Sequence, residues 1–83
     1  MNLVGAKVSR ERTAQGLTQE ALTARCQLAG LQIERGTLAK IEAGIRQVTD
    51  IEVIGLATAL RVPVATLFPT PAPPIGRAEF EEG

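Results

Sequence analysis

LTQEALTARCQLAGLQIERGTLAKIEAG, residues 17–44, decides the fold of this chain. Thr18 precedes a helix start and can accept a hydrogen bond from one of the free N–H groups there. Glu20 follows in the first turn, where the helix dipole favours an anion. Leu22 and Cys26 are four apart and give the helix an apolar stripe. Gly30 is a natural stop, and a loop leads to a second short helix from about residue 34 to 43. That helix turns Leu38 and Ile41 inward and ends at Gly44, the residue type that best tolerates a left-handed cap. Two short helices around a Gly-containing turn form a helix-turn-helix.

The outer face of the second helix carries the chemistry. Arg35, Gly36, Ala39, Lys40 and Ala43 share one side, opposite Leu38 and Ile41. Small residues there let a helix approach a groove closely, and two cations suit phosphates or guanine edges. An ordinary solvated helix face has the same charges, and on charge alone that plain reading is the favoured one.

Three segments settle more. Leu17 to Leu22 (LTQEAL), Gly36 to Gly44 (GTLAKIEAG) and Ile54 to Val62 (IGLATALRV) closely resemble the Cro and phage-repressor-like helix-turn-helix family, often called the XRE family. The likeness covers roughly residues 4–68, with its pieces in order at nearly the family spacing. It implies an all-α fold, a compact five-helix lambda-repressor-like bundle over residues 1–68 that binds double-stranded DNA. Carried onto this chain, it makes Gln19, with Thr18 beside it, a phosphate contact. It makes Arg35, Gly36 and Lys40 face bases or nearby phosphates, with Thr37 close enough to contribute. Backbone N–H groups near Gly44 and the Arg46 side chain hold a further phosphate in the family's docking mode. Arg12 of the first helix pairs with Glu42, a structural ion pair, since charges that deep persist only when paired. Leu67 and Phe68 are the dimer candidates, although they serve equally well to finish the monomer core.

The chain also departs from the family. Gly36 offers no side chain for readout, leaving Arg35 as the best direct base contact. Glu34 replaces the usual Ser or Thr cap and either accepts from a cytosine N4 or repels phosphate. Thr23 stands where alanine is common, and Glu11 where an apolar residue is. Residues 27–33 are about three longer than the common tight turn. Either the second helix continues to Ala29, the preferred reading because Gly30 is a natural stop, or the turn is an extended loop. Both keep Leu28, Leu31 and Ile33 inside.

Eighty-three residues allow one domain with a core near the lower limit of independent stability. Nine basic and nine acidic residues cancel, but unevenly. Residues 1–69 hold eight basic and six acidic residues, a net +2, and the remainder is −2. That distribution permits DNA binding without demanding it. The chain has no histidine and a single cysteine, Cys26. Histidine-based triads, histidine zinc sites and internal disulfides are thereby excluded. No nucleophile–base pair, metal cluster or phosphate loop is present, so neither an enzyme nor a cofactor is expected. No apolar run suits a membrane span or a signal peptide, and a cytoplasmic protein follows.

Outside the central stretch, residues 3–15 read as the first helix, with Val4 and Val8 inward and Gly16 closing it. Thr49 to Glu52 form a capping box for a fourth helix whose core stripe reads Ile51, Ile54, Ala57 and Leu60. Pro63 suits the first turn of a short fifth helix ending at Leu67-Phe68. Residues 69–83 form an extended Pro-rich, then acidic, tail, with disorder as its default and a protein partner as an alternative.

These features make the chain a sequence-specific transcriptional regulator, a small phage- or operon-type repressor acting as a homodimer on palindromic sites. An antitoxin using its tail for toxin neutralisation is a second reading. A protein-interaction module that has lost DNA binding is a third, favoured by Gly36, Glu34 and the neutral net charge.

Overall fold

The computed structural model describes residues 3–68, and the Pro-rich and acidic tail expected at 69–83 lies outside them. Four α-helices, α1 (Leu3–Ala14), α2 (Gln19–Leu28), α3 (Arg35–Glu42) and α4 (Asp50–Leu60), are followed by a 3-10 turn, Val64–Leu67. Thr18 caps α2 as its sequence requires, its hydroxyl accepting from the Ala21 N–H at 3.0 Å. Thr49 and Glu52 form the expected capping box at α4, each side chain accepting from the other residue's backbone N–H.

Helix α2 packs on α4 and on α3, and α1 lies across α3, α4 and the 3-10 turn. Val8, Leu22, Cys26, Leu38, Ile41, Leu56, Leu60 and Leu67 are fully buried where these helices meet. Each large side chain among them stabilises the fold by about 1.5–3 kcal/mol on burial. Cys26 behaves as a small hydrophobe, its thiol pushed up to about 11 by burial. Thr23, which replaces the family's common alanine, is buried without penalty because its hydroxyl donates to the Gln19 carbonyl at 2.8 Å.

The lengthened turn takes the form of a lengthened helix. α2 continues to Leu28, with Ala29 as its cap and Gly30 at φ +94°. The Gly30 N–H donates to Gln27 O, and the Leu31 N–H to Cys26 O, closing the helix end. Leu31 and Ile33 are buried as expected, and the Gln27 amide donates to the Ile33 carbonyl at 2.9 Å, pinning the loop ahead of α3. Leu31 packs against Gly55 of α4, where a Cβ would come within 2.8 Å of its side chain. Leu28, however, is 89% exposed rather than inside. The helical turn that buries Leu22 and Cys26 carries Leu28 to the opposite side.

Two further expectations are corrected. The inward stripe of α4 is Val53, Leu56, Ala57 and Leu60, while Ile51 and Ile54 are 74% and 55% exposed. Nearly every residue of α4 is apolar, so helical periodicity alone could not select the buried face. The fifth α-helix is replaced by the four-residue 3-10 turn. Pro69 follows at once, and Phe68 before it is extended (φ −79°, ψ 141°), the conformation that a following proline favours. Leu67 is fully buried and completes the monomer core, which removes it as a dimer contact; Phe68 is 47% exposed.

Candidate nucleic-acid interface

α3 presents Arg35 at its first position, with Gly36 and Lys40 also exposed and Thr37 half-buried. Leu38 and Ile41 anchor the opposite face in the core. Among the described residues, neither Arg35 nor Lys40 has a hydrogen-bond or ion-pair partner, which leaves both cations to an outside ligand. A Cβ built on Gly36 would meet nothing within 4 Å, so no contact among the described residues requires a glycine there. Glu34 caps α3 in extended conformation, but its carboxylate makes no capping bond. Gly44 closes the helix at φ +78°, its N–H donating to Ile41 O and the Ile45 N–H to Lys40 O.

Beside α3, the N-terminus of α2 delivers Thr18, Gln19 and Glu20. Together with Arg12 and Arg35 they line one open cleft. Gln19 and Arg35, sixteen positions apart in the sequence, therefore border the same space.

Behind this cleft three helices converge on one carboxylate. Glu42 of α3, its side chain 5% exposed, accepts from Arg12 Nε at 2.8 Å and Arg12 Nη2 at 3.0 Å. Arg12 Nη1 donates to the Leu17 carbonyl at 2.7 Å, so the guanidinium also fixes the α1–α2 loop. The Gln19 amide of α2 donates to Glu42 Oε1 at 3.0 Å. The hydrogen bonds it donates to Glu42 hold the Arg12 guanidinium above its already high ordinary pKa. The ion pair is the one that the family likeness implies. The link to Gln19 is additional, and no local pattern in the chain announces it.

Arg46 is placed differently from the expectation. Its two terminal nitrogens donate to Glu52, both at 2.8 Å, and Nη1 also donates to the Gln47 carbonyl at 3.1 Å. This bidentate hydrogen bonding from Arg46 holds the Glu52 carboxyl below its usual range. Glu52 thus joins the α3–α4 loop to the α4 cap, and a phosphate would have to compete with it for Arg46. Arg25, to which the sequence assigned no role, donates to Gln15 Oε1 at 3.3 Å and Ala59 O at 3.4 Å. Gln15 in turn donates to the Leu60 carbonyl at 2.6 Å, so both side chains satisfy carbonyls at the C-terminal end of α4.

Among the described residues no three potential metal ligands cluster, and no helix is long and apolar enough to cross a membrane. The surface offers donors and cations for an acidic, hydrogen-bond-accepting ligand.

A family model described as helix-turn-helix matches residues 8–67. Among solved structures, the restriction-modification controller protein C.AhdI from Aeromonas hydrophila is similar, at 36% sequence identity and a TM-score of 0.68. The alignment covers 81% of this chain and 94% of that one. No curated protein matches the chain.

Proposed function

Because the chain belongs to the helix-turn-helix family of DNA-binding transcriptional regulators, we propose that it is a sequence-specific, operon-type repressor working as a dimer on palindromic DNA. The observation that carries this reading is the shared cleft of Gln19 and Arg35, with Arg35 and Lys40 left without partners among the described residues. Arg35 leads α3 into the major groove and donates to a guanine O6/N7 edge. Lys40 and Gln19 contact phosphates, and Gly36 leaves room for the helix to approach.

The test is binding to the DNA upstream of the protein's own gene, and to a randomised pool, at two salt concentrations. Wild type binds a defined sequence, and more weakly at higher salt. Arg35→Ala folds normally, because Arg35 is exposed and has no partner among the described residues, yet loses about 1–3 kcal/mol of discrimination at one base pair. A wild type that selects no sequence from the pool at low salt refutes the proposal.

The dimer is formed by the outer face of α4 and the turn that follows. Ile51, Ile54 and Phe68 are exposed there, and Ile54 stands between two shallow grooves, one lined by Leu31 and Gly55, the other by Val64 and Phe68. A ridge flanked by grooves can pack against its own copy about a two-fold axis. Ile54→Glu leaves a folded monomer in analytical ultracentrifugation and weakens binding to the palindrome while sparing half-site affinity. If the variant sediments as wild type does, the interface lies elsewhere.

A further inference from the structure

The bond between Gln19 and Glu42 carries the proposed DNA reading one step further. Glu42 Oε1 already accepts from Arg12 Nη2 and, being an ionised carboxylate oxygen, can only accept. Gln19 must therefore turn its NH2 group, and not its carbonyl, toward Glu42, which fixes an amide that would otherwise flip freely. With one N–H committed inward, the second N–H of the same nitrogen remains for an outside acceptor on the cleft shared with Arg35. Arg12 holds Glu42 in register through two bonds and is itself tied to the Leu17 carbonyl just ahead of the α2 cap. The carboxylate is almost fully enclosed, and its charge is neutralised by Arg12, so it does not repel an approaching phosphate as a free carboxylate would.

We infer that Glu42, backed by Arg12, is a positioning residue that presents the Gln19 amide N–H to a phosphate of the DNA backbone. The ion pair thus has two roles, joining α1 to α3 and aiming a ligand contact on α2. This inference rests on the DNA-binding reading above. Preorganisation of this kind strengthens binding because the side chain is ordered before the ligand arrives.

The test compares wild type, Gln19→Ala, the double substitution Arg12→Met with Glu42→Leu, and the triple variant combining them. The double substitution keeps net charge unchanged and replaces a buried pair by apolar side chains, which folded domains often tolerate. Gln19→Ala loses about tenfold in affinity, equally on specific and unrelated DNA, as removal of a phosphate contact does. The double variant, folded by circular dichroism, loses a similar factor, and adding Gln19→Ala to it changes nothing further. Overturning the inference requires the double variant to bind as wild type does, or Gln19→Ala to cost the same factor in both backgrounds. Should the double variant not fold, proton NMR of the wild-type Gln19 side chain decides. One amide proton exchanges slowly and the other shifts when DNA is added; two protons exchanging at free-amide rates overturn the inference. Wild type that binds no DNA in the same assays rejects the functional reading instead, with the Gln19 proton pattern still reporting on the internal bond.

Discussion

Gly5→Ala unfolds this protein or lowers its stability by about 3 kcal/mol or more, although alanine is the better helix former by about 1 kcal/mol. Gly5 lies in α1 where that helix crosses the end of α3. A Cβ built there would overlap the Ile41 carbonyl oxygen, lie 2.8 Å from its carbon and lie 3.3 Å from the Glu42 Cα. Those neighbours are backbone, held by the helix and its glycine cap, so no rotamer change makes room. The only relief is to move α1 away from α3. That separation would disturb Val8 in the core and the Arg12–Glu42 pair together. For a domain of this size, 1 kcal/mol corresponds to roughly 4–8 °C in melting temperature, so a loss of at least 12 °C is expected. Gly36→Ala serves as the internal control. Its Cβ meets nothing, and the same substitution should there leave stability unchanged or raise it by up to about 1 kcal/mol. A Gly5→Ala protein that melts within a few degrees of wild type contradicts the close crossing of α1 and α3.

The second large effect is expected from removing one member of the buried pair. Glu42→Ala leaves the Arg12 guanidinium, its side chain 17% exposed, without its charge partner between α1 and α3. The measured cost of orphaning a buried charge is about 3–5 kcal/mol, and the residual exposure of Arg12 places this case near the lower end. Three hydrogen bonds are lost at once, two from Arg12 and one from Gln19. Urea unfolding should therefore show a midpoint shift equivalent to roughly 3 kcal/mol with an unchanged slope. Replacing both partners by apolar residues should cost much less, since no charge is then stranded. If Glu42→Ala alone costs under about 1 kcal/mol, the pair is solvated and the structural role assigned to it is wrong.

Much of this was legible in the chain because it is local. The caps at Thr18 and Thr49 and the stops at Gly16, Gly30 and Gly44 are properties of a few adjacent residues. They fixed where α2 and α4 begin and where α1, α2 and α3 end to within a residue or two. Family likeness added the Arg12–Glu42 pair, which spans thirty positions and has no local signature. It also marked Arg35 and Lys40, whose lack of partners among the described residues only the folded arrangement could show.

Where the sequence was ambiguous, packing chose. On α4 the residues Ile51 and Ile54 are as apolar as Val53 and Leu56, and only the positions of α2 and the 3-10 turn decided which pair would be covered. Leu67 and Phe68 were alike in sequence, yet one fills the core while the other remains 47% exposed. Gly5 carried no sign of its purpose, because a close helix crossing depends on the neighbour that arrives, here the backbone of α3. The bond from Gln19 to Glu42 has the same origin. The sequence by itself determined the helices, their ends and the helix-turn-helix, through short-range capping and apolar spacing. Only the tertiary structure decided which apolar face was buried, which glycine had no substitute and how the Gln19 amide was aimed, because each depends on groups distant in the chain.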